Sequence, residues 1–360
     1  MIITVPILIF AVALAGGVGA GESAEAYARG KAFFDEAKHA EAVREFNDAI
    51  RLDPNSADAY AYRGAAFLGS GDRDKAISDE SEAIRLDPKR EFAYRCRGAA
   101  YVNARNRDNA AYAGSSDPDK AITDESEAIG LDPKDAFAYA YRGEAFRLKG
   151  DLARAIADSD EAIRLDPNNV FAYISRGETY RSKGDFDRTI SDDNEAIRLD
   201  PNNAFAYAFR GAAYWFKQEY DRTIADENEA IRLDPKNEIA SFAYAERGYA
   251  YLHKNNFKRA ILDENEAIRL DPNNAFAYEH RSEAYRIKGD YARTIADESE
   301  AIRLDPNDSN AYAGRGFAYW RKGYAKRAVA DLDEAIRLDP EGAVGRWAAN
   351  IKASITGARR

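Results

Sequence analysis

Apolar residues recur along this chain at helical spacing, in pairs of short stretches, and each pair is closed by the triplet Leu-Asp-Pro. In AFAYAFRGAAYWF (204–216), Tyr207, Gly211 and Tyr214 stand at i, i+4 and i+7, one face of a helix. In RTIADENEAIRL (222–233), Ile224, Ala230 and Ile231 keep a helical register. Polar residues separate the two stretches, often as Lys-Gly-Asp (Lys149-Gly150-Asp151, Lys183-Gly184-Asp185), the mark of a tight turn. The proline stops the second helix, because it has no N–H to donate and drives the preceding Asp out of the helical region. The Asn-Asn that often follows offers an N-cap for the next helix. Each pair predicts a helix–turn–helix hairpin.

Leu-Asp-Pro ends at Pro54, Pro88, Pro133, Pro167, Pro201, Pro235, Pro272, Pro306 and Pro340, with gaps of 34, 45, 34, 34, 34, 37, 34 and 34 residues. A fixed period of this length predicts a stacked array, in which each hairpin buries its apolar face on its neighbours. Nine units follow, at about 23–56, 57–90, 91–135, 136–169, 170–203, 204–237, 238–274, 275–308 and 309–340. Two insertions break the period. One lies at 103–117 and reads as a polar surface loop; the other, around Glu238–Ala240, is expected to lengthen the first helix of its unit or the loop leading to it. After Pro340, residues 341–360 place Val344, Trp347, Ala348 and Ile351 on one face, and read as a capping helix and tail.

Positions are numbered within the unit from Ala204. Position 4 is Tyr in eight units, from Tyr60 to Tyr312; position 8 is Gly except at Ser282; position 27 is Ala throughout, from Ala49 to Ala335. With the proline at 32, this pattern resembles the tetratricopeptide repeat over about 23–340. The resemblance implies an all-α fold, a right-handed superhelical solenoid of helix–turn–helix repeats. It also implies a concave groove lined by the first helices, with positions 2, 5, 6, 9, 12 and 13 facing a ligand.

Two columns depart from the family pattern. Position 7, usually Leu, is Arg in every unit: Arg29, Arg63, Arg97, Arg142, Arg176, Arg210, Arg247, Arg281 and Arg315. Position 24, usually Phe, is polar in the seven inner units: Glu80, Glu125, Ser159, Asp193, Glu227, Glu264 and Glu298. A buried guanidinium needs a carboxylate partner. A structural ladder of contacts between Arg 7 and the position-24 carboxylates is therefore expected, within a repeat or between neighbours, with Asp158 or Asp160 substituting for Ser159, which has no charge to offer. Acidic runs such as DENEAI (226–231 and 263–268) read as the solvated face of the second helix, with i,i+3 pairs such as Glu229–Arg232.

At the groove positions the letters vary while the framework does not. The candidate partner groove is Phe137, Tyr141, Arg147, Phe171, Ile174, Arg181, Phe205, Phe209, Trp215, Phe216, Phe242 and Tyr249. Aromatics with a charged rim suit an extended peptide or a partner helix, provided that the position-2 Phe residues are not spent on packing against the preceding hairpin. The Lys/Asn pattern with which one subgroup of the family grips C-terminal carboxylates is missing, Arg95 being the only basic residue at position 5.

Composition narrows the rest. The formal charge of -10 argues against nucleic acid as partner. One cysteine, Cys96, and three scattered histidines leave no metal or disulfide pattern, and no catalytic motif or small-molecule site is seen. The reading is a non-catalytic protein-interaction scaffold without cofactor, or an envelope assembly or chaperone-like factor that holds unfolded segments. The opening MIITVPILIFAVALAGGVGA carries no charge, has an apolar core from Ile2 to Ala15, and ends in small residues. It reads as a signal peptide cut after Ala20, giving an exported protein, periplasmic or secreted. The alternative is a membrane anchor over residues 2–20, the one way in which a membrane would be involved.

Overall fold

The computed structural model describes residues 7–102, 116–236 and 238–357, and every regular element among them is an α-helix. The helices belong to two compact units. The first, Met1–Lys183, holds α1 (Ile7–Asp35), α2 (His39–Leu52), α3 (Ala57–Gly69), α4 (Arg73–Leu86), α5 (Glu91–Val102), α6 (Pro118–Leu131), α7 (Ala136–Leu148), α8 (Leu152–Leu165) and α9 (Val170–Ser182). The second, Gly184–Arg360, holds α10 (Phe186–Leu199), α11 (Ala204–Phe216), α12 (Tyr220–Leu233), α13 (Glu238–His253), α14 (Phe257–Leu270), α15 (Ala275–Ile287), α16 (Tyr291–Leu304), α17 (Ser309–Arg321), α18 (Ala325–Leu338) and α19 (Ala343–Thr356). The insertion at 103–115 and residues 1–6 lie outside the described residues.

The Leu-Asp-Pro joint is built alike at seven of its recurrences. Asp53 has the extended backbone that a following proline imposes, and its N–H closes the helix on the Ala49 carbonyl at 2.8 Å. Its carboxylate then accepts the N–H two residues on, as do those of Asp87, Asp132, Asp166, Asp200, Asp271 and Asp305. Asn169, Asn203, Asn274, Asp135 and Asp308 cap the next helix. Inside the hairpins the turn needs a left-handed residue. Gly71, Gly150, Gly289 and Gly323 supply it, while Ala37, Gln218 and Asn255 adopt it with a side chain in place.

Within each unit the first helices of neighbouring repeats touch: α1 with α3, α3 with α5, α5 with α7 and α7 with α9; then α11, α13, α15, α17 and α19 in succession. Among the described residues, second helices of neighbouring repeats do not. The first helices therefore crowd the inner side of each unit's stack. The core between them is mostly alanine: Ala61, Ala83 and Ala93 form one cluster, and Ala140, Ala162 and Ala172 another.

The three extra residues before the seventh unit do extend a helix. α13 has 16 residues against 13 in α11, and it buries Ile239, Ala240 and Ser241. At the N-terminal side, α1 runs without a break from Ile7 through the expected cleavage point into the first repeat. α19 packs on α18 and α17 through Ala348 and Ile351, with Val344 against them. Trp347, expected on that buried face, is 39 % exposed and stacks on Phe317 instead.

A left-handed backbone costs an L-residue about 1–2 kcal/mol, which glycine avoids at some cost in chain entropy. Gln218→Gly is expected to stabilise the fold by about 0.5–1 kcal/mol in urea unfolding. A loss of stability would show that the Gln218 side chain contributes a contact.

Candidate functional site

The arginine column is clamped, but one residue earlier than expected. Arg63 Nε and Nη2 donate to the two oxygens of Asp79, each at 2.7 Å, and Nη1 donates to Asn47 of the preceding repeat at 2.6 Å. Arg97 grips Asp124 and reaches Ser81; Arg142 grips Asp158 and reaches Ser126. Arg176 reaches Asp160. In the second unit Arg210, Arg247, Arg281 and Arg315 grip Asp226, Asp263, Asp297 and Asp331, and reach Asn194, Asn228, Asn265 and Ser299. Arg29 uses Glu45. Each guanidinium of the eight later units also lies over the position-4 Tyr of its own helix, from 5.1 Å at Arg247–Tyr244 to 5.8 Å at Arg97–Tyr94. The ladder thus runs both within and between repeats, through positions 4, 7, 23 and 25.

Glu80, Glu125, Glu227, Glu264 and Glu298 of the expected ladder are not the partners. They sit under the first helix at Gly 8: a β-carbon on Gly64 would lie 2.6 Å from Glu80 Oε1, and one on Gly248 2.6 Å from Glu264 Oε1. Phe46 and Leu332 fill the same place against Gly30 and Gly316. The backbone puts position 24 beneath the glycine and position 23 beside it, so only position 23 reaches the arginine. Glu80, Glu125, Glu227 and Glu264 are fully buried, as is Asp193. Neither oxygen of Glu80, Glu125 or Glu227 has a hydrogen-bond partner among the described residues. Burial pushes these carboxyls, and that of Glu298, well above the usual carboxylate range. Ser282, which replaces Gly 8, donates to Glu298 at 2.5 Å.

The groove residues split into those covered by packing and those that keep an exposed face, Phe216 among the latter although it stacks on Phe186 at 4.7 Å. Phe171 packs against Tyr141 at 4.7 Å and joins a core cluster; Phe209 and Phe242 pack into another, 6.4 Å apart. Phe137, Phe205 and Phe216 are 43–47 % exposed. The partner ring decides the outcome: Phe92, Phe171 and Phe242 follow units with an aromatic at position 6 (Tyr62, Tyr141, Phe209) and pack against it, stacked, tilted and edge-on in turn. Phe137 and Phe276 follow Cys96 and Glu246 and stay out. Trp215 meets Phe216 at 4.6 Å and Tyr249 at 5.3 Å. Arg147 and Arg181 are held by Glu144 and Glu178 one helical turn away, Ser175 donating to Glu144; Ile174 is half-buried beside them.

Residues missed from the sequence extend the second unit's surface: Phe276, 69 % exposed, Ile287, 48 % exposed, and His280, which stacks on Tyr249 at 4.0 Å. His280 Nδ1 lies 3.4 Å from Glu264, and burial lowers its pKa to about 3. The signal was present, since these fall at positions 2, 13 and 6. Cys96 is no activated thiol: burial and the Glu80 carboxyl push it up, against the flanking Arg95. Among the described residues no cluster of His, Cys, Asp or Glu could hold a metal.

Three family models match the chain. One described as TPR repeat matches residues 30–71 and 282–323, and two described as tetratricopeptide repeat match 109–170 and 172–203, 243–274 and 309–341. No curated protein sequence matches. Among solved structures, the chain is similar to one in the APC/C hetero-tetramer Cut9–Hcn1, with TM-score 0.66, 15 % identity, and 92 % of this chain and 76 % of that one covered. It is also similar to a tetratricopeptide repeat protein from Parabacteroides merdae (TM-score 0.54, 18 % identity, 73 % and 99 % covered) and to Pseudomonas aeruginosa pilF (TM-score 0.56, 15 % identity, 62 % and 99 % covered). At these identities the likeness is one of fold.

The buried carboxyls have a pH signature. A folded pKa raised above the unfolded value gives stability that is present below the unfolded pKa and lost as pH rises through the folded one. His280 works the other way, its lowered pKa losing stability below about 6.5. Five carboxyls outweigh one imidazole, so the protein is expected to melt higher at about pH 6 than at about pH 8. Glu227→Gln should raise the melting temperature at the higher pH and flatten the difference. A wild type that melts higher at the alkaline end would contradict this.

Proposed function

Because the chain belongs to the tetratricopeptide repeat family, whose repeats carry protein–protein contacts, we propose that each unit binds a partner peptide or helix along its first helices, without catalysis. The observation that carries this reading is the exposed row Phe205, Phe216, Phe276 and Ile287 in the second unit, on the inner helices of a stack whose other large apolar side chains are mostly covered. Exposed apolar groups gathered on one face favour association, and aromatics supply much of the energy at such contacts. In the first unit Phe137 and Leu148 are the counterparts on α7.

The proposed place of action is outside the cytoplasmic membrane, on the strength of the uncharged opening twenty residues. No helix among the described residues is long and apolar enough to cross a membrane. Mass measurement of the protein from its native host should find Gly21 as the first residue; retention of residues 1–20 on a membrane-bound chain would favour the anchor.

The binding reading is tested by paired capture from envelope extract with wild type and a Phe205→Ser/Phe216→Ser variant that melts normally. One partner at fixed stoichiometry, lost in the variant, is the expected result. Recovery of many unfolded chains at no fixed ratio would favour a chaperone-like role, and identical recovery by both proteins would overturn binding by this face.

A further inference from the structure

The two units contain the same joint in two chemical versions. In the first unit, Arg95 stands at position 5 and reaches across to Asp135, the cap of the next repeat, with Nη1 3.2 and 3.1 Å from its two oxygens. Its guanidinium lies 5.2 Å from the Phe92 ring and 5.7 Å from that of Phe137, with Glu91 3.9 Å away. A cation is thus held on the inner wall by carboxylates and position-2 aromatics, all from this chain.

In the second unit, the same position 5 carries Glu279 and the same cap is Asp308. Asp308 caps its helix as Asp135 does, accepting the N–H two residues on at 2.8 Å. Burial, with the neighbouring Asp308 and Asp305 carboxyls, pushes Glu279 up to about 8, and the buried Asp308 Oδ2 has no hydrogen-bond partner among the described residues. Beneath them, Glu298 is 6 % exposed and its Oε2 has no partner; Glu279 and Asp308 act on it as neighbouring charges. Among the described residues no basic side chain is bonded to any of the three, and Arg286, one helical turn along, is committed to Glu283 at 2.7 and 2.5 Å. Phe276, the position-2 ring beside this cluster and the counterpart of Phe92, is the most exposed large apolar residue described.

Three carboxyls gathered under an exposed ring, where a sister joint holds a guanidinium, are complementary to a cation with an apolar stem. We propose that the joint between α15 and α17 receives a basic side chain, arginine or lysine, of the peptide bound along the second unit. The Glu279 and Asp308 carboxylates take the charged head as Asp135 takes Arg95, and Phe276 covers the stem. The proposal rests on the peptide-binding reading of the first-helix face and names the chemistry of its partner.

Randomised dodecapeptides are selected on the immobilised full chain, on Glu279→Arg, and on Glu266→Arg, which makes the same charge change on a second helix. Arginine or lysine should be enriched at one peptide position by the wild type and by Glu266→Arg, and replacing it with leucine should weaken binding about tenfold or more. Glu279→Arg should lose this selection and melt higher, its new guanidinium meeting Asp308 from within. Asp308→Asn, which keeps the cap, is the second variant and should weaken the selected peptide in the same direction. Enriched peptides without a basic position, or equal binding by both variants, overturn the basic-residue pocket and leave the groove standing. No enrichment on any of the three proteins counts against both.

Discussion

In seven repeats one arginine both closes the hairpin and joins it to the repeat before. Arg247 spends two nitrogens on Asp263 of its own second helix, a third on Asn228 of the preceding repeat, and its face on Tyr244. Bidentate geometry fixes both the distance and the orientation of the helices it joins, which a slippery alanine core does not. In the core the largest fully buried apolar side chains are Phe46 and Leu332, in the first and last repeats. Between these, alanines set the spacing and the clamp sets the register.

The same close approach explains the odd chemistry at position 24. With Gly at position 8, the first helix comes down on whatever stands at 24, and in four inner repeats that is a glutamate with its carboxyl sealed from water. A hydrophobic residue fits there, as Phe46 and Leu332 show. The buried acids therefore lower stability at alkaline pH relative to what the fold could reach. Two of the position-24 glutamates lie against position 6 of the next repeat: Glu264 meets His280, and a β-carbon on Gly314 would collide with Glu298 Oε1. Because positions 4, 7, 23 and 25 carry the scaffold, positions 2, 5, 6, 9, 12 and 13 are free to differ from unit to unit, and the proposed recognition would reside in those differences.

The hairpins, their joints and the lengthened α13 were legible in the sequence, because proline, the Asn and Asp caps and the alanine column each act locally. The arginine column was legible as something that needs a carboxylate. The partner was misplaced by one residue because two neighbouring acidic columns compete, and only the crossing of the two helices decides between Asp263 and Glu264. The sequence held a clue: position 23 is acidic in all nine repeats, from Glu45 to Asp331, whereas position 24 is not. Which aromatics remain open was harder still. Phe171 is covered and Phe276 is not because of the residue at position 6 of the repeat before, a contact between hairpins that periodicity within one hairpin does not contain.

The account depends most on the clamp, and a double-mutant cycle on Arg247 and Asp263 addresses it directly. Arg247→Met, Asp263→Asn and the double variant, unfolded in urea with the full chain, should yield a coupling energy of about 2 kcal/mol or more, the size expected for a largely buried bidentate pair. A coupling below about 0.5 kcal/mol, the level of an exposed surface pair, would contradict the claim that this interaction holds the repeats in register.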